Sequence, residues 1–83
     1  MREKTMKLVI TFHTTTQAIA MEAFCQKEEL PGRLIPLPGV VSAGCGLCWC
    51  TSPEKEKVLE TKMKSKKIEF DQIYHVMLSY KIF

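Results

Sequence analysis

Hydrophobic and polar positions alternate from Lys7 to Phe12, with Leu8, Ile10 and Phe12 on one side and Val9 and Thr11 on the other. A period of two in a β-branched run predicts a first strand. The period then changes. Ala18, Met21, Phe24 and Cys25 recur at helical spacing, with Glu22, Gln26 and Glu29 grouped elsewhere, and Thr14 and Gln17 have the spacing of a capping box. This predicts an amphipathic helix that runs to about Leu30, where Pro31-Gly32 stops it. Arg33 to Ile35 reads as a short second strand. Pro36 and Pro38, which lack an amide donor, suit an edge or a loop.

Alternation returns at Leu47 to Thr51, with Leu47 and Trp49 on one face and Cys48 and Cys50 on the other. Ser52-Pro53-Glu54 predicts the start of a second helix, anchored by the narrow stripe of Val58, Leu59 and Met63. A fourth strand follows over Gln72 to Tyr80, with Ile73, His75 and Met77 opposed to Tyr74, Val76, Leu78 and Tyr80. Strand, helix, strand, strand, helix, strand is the ferredoxin-like βαββαβ order. It predicts an α+β two-layer sandwich: a four-stranded antiparallel sheet with two helices on one face. In that topology the first and third strands are antiparallel neighbours. The end of the first strand, with His13 and the first helical turn, then lies beside Cys45.

The chain has 83 residues, 46% hydrophobic and 25% charged, which predicts a single folded domain over residues 1–83. The net charge of +3 is mild. Six lysines lie between Lys55 and Lys67, but Glu54, Glu56 and Glu60 alternate with them. This pattern predicts a solvated helix face and no nucleic-acid partner. The apolar run near the start is too short for a membrane span and has no small-residue cleavage site behind it, so the expectation is a cytoplasmic protein with no membrane partner. Four cysteines in a reducing compartment are expected to be thiols or ligands and not structural disulfides.

Three of those cysteines fall in Ser-Ala-Gly-Cys-Gly-Leu-Cys-Trp-Cys, residues 42 to 50. The spacing leaves several chemistries open. Cys45, Cys48 and Cys50 form a C-x-x-C-x-C cluster that supplies three soft ligands for a metal. A tetrahedral site needs a fourth, from Cys25, His13 or His75 or from a second chain. Cys45-Gly46-Leu47-Cys48 also resembles a redox C-G-x-C, although it leads into a strand and not a helix. The third option is one activated thiol. Gly44 and Gly46 free the backbone around Cys45 to take positive dihedrals and form an anion-binding turn, and the nearby helix start favours a thiolate. Cys48 and Cys50 then serve as relays or as packing. Cys25 and Trp49 read as core, and His75 as a strand residue on a partly exposed face.

Ile10-Thr-Phe12, Ala18 and Glu22, Arg33-Leu-Ile-Pro-Leu-Pro38, Ser42-Ala-Gly-Cys-Gly46 and Ile73-Tyr74 together resemble the small bacterial putative Se/S carrier protein-like family. The resemblance implies a compact α/β domain with Cys45 as the sulfur- or selenium-bearing residue, acting as a carrier or accessory protein rather than an enzyme. Ser42, Gly44, Gly46 and His13 are the expected binding residues on the reading of the turn itself, since the resemblance carries over Cys45 alone. No cofactor is implied, and the partners are sulfur or selenium donor and acceptor proteins, with a homodimer as a further possibility. Three positions depart from the family pattern: Cys48 and Cys50 stand where ordinary strand residues are common, and His13 where proline is common. The competing reading is a metal-binding or regulatory interaction module built on Cys45, Cys48 and Cys50. A protein-binding domain that uses its open sheet face is the third.

Overall fold

The two-residue and helical periods resolve into four strands and two helices. In the computed structural model, which describes residues 5–39, 41 and 44–78, these are β1 (Thr5–Thr11), α1 (Thr15–Lys27), β2 (Arg33–Pro36), β3 (Leu47–Thr51), a 3-10 turn (Pro53–Lys55), α2 (Glu56–Lys66) and β4 (Ile73–Leu78). The strands form one antiparallel sheet in the order β2-β3-β1-β4. This is the α+β, ferredoxin-like arrangement expected from chain order. Tyr80 of the expected fourth strand lies outside the described residues.

Register distributes the side chains. Ile10 pairs with Trp49 and Thr11 with Cys48 across β1 and β3, and Ile10 pairs with Ile73 across β1 and β4. Paired residues point to the same face of a sheet. Leu8, Ile10, Phe12 and Trp49 therefore meet Ala18, Met21 and Phe24 of α1 and Leu59 and Met63 of α2 in one buried cluster. Both helices cover this face, and burial of each large apolar side chain contributes about 1.5 to 3 kcal/mol. The opposite face gathers Val9, Ile35, Cys48, Cys50 and Leu78, with Leu37, Tyr74 and Val76 packed against them.

Local chemistry sets the helix ends. The Thr14 hydroxyl accepts from the Gln17 N–H at 3.2 Å, and the Gln17 side-chain oxygen accepts from the His13 N–H at 2.9 Å, so the cap reaches one residue further back than a standard capping box. α1 ends at Lys27, short of the expected Leu30. Glu29 adopts a left-handed φ of 56°, and the Leu30 and Glu29 N–H groups donate to the Cys25 and Gln26 carbonyls, closing a Schellman turn before Pro31. α2 stops in the same way, with Lys67 at φ 54° and the Ile68 N–H on the Met63 carbonyl. Its start also differs from expectation. Ser52 makes no side-chain capping bond, and Pro53–Lys55 forms a 3-10 turn before the α-helix begins at Glu56.

Gly32 is fixed by two constraints. Its φ is +129°, a region that L side chains rarely adopt, and an added Cβ would lie 2.6 Å from Trp49 Nε1 and 2.8 Å from the Cys50 carbonyl oxygen. The glycine lets the chain lie directly on the indole of the central core residue. Gly32→Ala is expected to destabilise the fold by about 2 kcal/mol or more. Urea unfolding followed by Trp49 fluorescence measures this, and a loss below about 0.5 kcal/mol would contradict the packing assigned to this glycine.

Candidate functional site

The turn that precedes β3 is held by backbone bonds to the ends of β1 and β2. The Cys45 N–H donates to the Phe12 carbonyl at 3.2 Å, and the Leu37 N–H donates to the Gly46 carbonyl at 2.9 Å. These place the Cys45 side chain with the helix-facing core, at the amino end of α1. Its sulfur accepts the Leu47 N–H at 3.4 Å and lies 3.8 Å from the Thr15 hydroxyl, the first residue of α1. A backbone amide, a hydroxyl and the positive end of a 13-residue helix thus converge on one sulfur.

The expected proximity of Cys45 to the end of β1 holds, while its details differ. Cys45 is 3% exposed, where an exposed thiol in a turn was expected, because its side chain joins the core cluster of Phe12, Ala18 and Trp49. Gly46 does not have the positive φ that Gly32 has. Gly44 serves close approach instead, since a Cβ there would sit 3.1 Å from the His13 carbonyl oxygen, whereas one at Gly46 would meet open space. The His13 main chain borders the turn, but its imidazole is 61% exposed and lies 3.5 Å from Asp71 Oδ1. Asp71 also reaches Thr11, whose hydroxyl donates toward Oδ2 at 3.4 Å, so the histidine is drawn to the β4 side. Ser42 lies outside the described residues.

Cys48 and Cys50 share a face, as their alternation requires, but it is the face opposite the helices. Cys45 belongs to the helix-side cluster, so the strand pair and the turn cysteine are not gathered into one site. Among the described residues no group of three His, Cys, Asp or Glu is placed to hold a metal ion, and the Cys45, Cys48, Cys50 ligand set is not assembled. The remaining candidate ligands are also dispersed. Cys25 is buried in α1, and His75 pairs with Glu56 at 2.8 Å. Thr15 and the Leu47 N–H, which contact the sulfur, were not singled out by residue pattern. A threonine directly after a helix cap was the one available signal.

All four cysteines are free thiols. Burial pushes Cys25 up to about 12 from 9.0; burial first, then the neighbouring Cys50 and Cys45, pushes Cys48 up to about 12. Burial also raises Cys50, partly opposed by Lys7. A folded state that holds these protons more tightly than the unfolded chain keeps their full contribution to stability below about pH 9 and loses it as pH rises toward 12. The urea midpoint is therefore expected to fall above about pH 9, less steeply in Cys48→Ala than in wild type. An equal slope in the two proteins, followed by circular dichroism under reducing conditions, would contradict the burial assigned to Cys48.

Among the described residues no helix is long and apolar enough to cross a membrane. No curated protein and no solved structure matches the chain. A family profile does match, over residues 7–75, from the first strand through the cysteine turn into the last strand. On that match the chain belongs to the family described as putative Se/S carrier protein-like.

Proposed function

We propose that this protein carries sulfur or selenium on Cys45 and passes it between partner proteins, as an accessory protein of the cytoplasm and not as an enzyme. The observation that carries the reading is the pair of contacts to the Cys45 sulfur, the Leu47 N–H and the Thr15 hydroxyl, at the amino end of α1. Burial raises the pKa of the other three thiols, and among the described residues no such pair of contacts is made to their sulfurs. Membership of a family described by Se/S carriage gives the same direction.

Loading follows from ordinary thiol chemistry. The Cys45 thiolate attacks the terminal sulfur of a donor persulfide; the new S–S bond forms as the donor's S–S bond breaks, and the donor leaves as a thiolate with that bond's electron pair. No net oxidation occurs. Release to an acceptor thiolate is the same displacement in reverse. The Leu47 N–H and the Thr15 hydroxyl contact Sγ, the atom that attacks in loading and leaves in release. Because Cys45 is buried, the donor reaches it only when the Gly44–Gly46 turn opens. Glycine on both sides lowers the cost of that movement.

In this reading Cys48 and Cys50 pack the far face of the sheet and take no part in transfer. A cysteine desulfurase with free cysteine, followed by mass spectrometry of the trapped persulfide, provides the test. Wild type and Cys48→Ala are expected to gain one sulfur at Cys45, and Cys45→Ser none. Thr15→Val is expected to load about 3- to 10-fold more slowly, the worth of one ordinary hydrogen bond, with Thr15→Ser near wild type. Persulfidation of Cys45→Ser at the wild-type level would remove the assignment.

A further inference from the structure

A second chemical feature lies at the far end of the sheet from Cys45. Met6 and Met77 are register partners across β1 and β4, and His75 stands two residues before Met77, opposite Leu8. Alternation puts all three on the helix-facing side, Met6 with Leu8 and Ile10 along β1, and His75 and Met77 with Ile73 along β4. The helix layer leaves the two methionines open. Leu8 and Ile10 are fully buried, whereas Met6 is 45% and Met77 50% exposed. Core packing therefore accounts for neither methionine.

Directly opposed residues have Cβ atoms about 5 Å apart, and residues two apart on one strand about 7 Å. Two thioethers and an imidazole thus occupy adjoining positions at one corner of the sheet, within side-chain reach of a common point. The imidazole is already held as a metal ligand would be. His75 Nε2 lies 2.8 Å from Glu56 Oε1, at the start of α2. A neutral imidazole that donates its Nε2–H to a carboxylate keeps Nδ1 as the nitrogen with a lone pair. Metal-bound histidines characteristically give their other ring N–H to such a carboxylate, which fixes the tautomer and the ring direction. Donor type then selects the ion. Of the metals that imidazole binds, thioether sulfur favours copper in its monovalent, soft state. The three donors are neutral, and the Glu56 carboxylate places one negative charge beside the monovalent ion.

We infer that Met6, His75 and Met77 form a surface site for Cu(I), with Glu56 holding the imidazole as a positioning residue. Met6 lies about 20 Å along the extended chain from Phe12, the residue to which the Cys45 turn is bonded, so this site is separate from the thiol. The inference does not rest on the carrier reading.

The test is an anaerobic titration of Cu(I), supplied as its acetonitrile complex, into the reduced full chain labelled with carbon-13 at the methionine methyls. It is run on wild type and on Cys45→Ser, because thiols also bind this ion. In both proteins the methyl signals of Met6 and Met77 are expected to move together while those of the buried Met21 and Met63 stay in place. Zn(II) is expected to move neither pair. Against a chromogenic Cu(I) chelator, Met6→Leu/Met77→Leu in the Cys45→Ser background is expected to lose affinity by tenfold or more, with its urea midpoint unchanged. Glu56→Gln is expected to lose roughly tenfold. Met6 and Met77 signals that stay in place in Cys45→Ser, or equal Cu(I) affinity in the double leucine variant, would overturn the proposal and put the metal on the thiols.

Discussion

The antiparallel register between β1 and β3 decides the chemistry of every cysteine near the site. With Ile10 opposite Trp49 and Thr11 opposite Cys48, odd-numbered residues of β3 face the helices and even-numbered ones face away. The Cys45 to Phe12 backbone bond lies two residues out of that register and ties the turn before β3 to the residue after β1. A one-residue slip would exchange the two faces, sending Trp49 out of the core and Cys48 into it. Burial of Trp49, Ile10 and Phe12 makes such a slip costly, so the hydrophobic core and the separation of the thiols share one cause.

That separation explains how a cluster so dense in sequence divides in space. Cys48 and Cys50 are surrounded by Val9, Ile35 and Leu78, where a thiolate would lose its hydration without a partner. Cys45 instead meets the Leu47 N–H of β3 and the Thr15 hydroxyl at the amino end of α1. The Thr14 cap and the Gln17 side chain fix the direction of α1 there, and Gly44 lets the turn lie against the His13 carbonyl.

The strands, their faces and the antiparallel neighbours could be read from alternation and chain order, because each depends on a short-range period and a small set of allowed topologies. The cap at Thr14 was equally legible. The end of α1 was not: Glu29 takes a left-handed conformation that glycine usually fills, and the Schellman bonds offset its cost of about 1 kcal/mol. The burial of Cys45 depends on Phe12, Ala18 and Trp49 arriving from three separate elements, which no local pattern reports. The direction of the His13 ring depends on Asp71, 58 positions away in the chain (71 − 13 = 58). Gly32 was visible as a helix stop, and its contact with Trp49 appeared only in three dimensions.

The central claim is that one thiol of four is set apart by hydrogen bonding and position. Site-resolved alkylation of the native, reduced protein at neutral pH, quenched over time and mapped by mass spectrometry, tests it directly. The account predicts that Cys45 is modified first, and that Cys25, Cys48 and Cys50 are modified only as fast as the protein unfolds. Modification of Cys48 or Cys50 at the rate of Cys45, under conditions where the fold is intact, would contradict it.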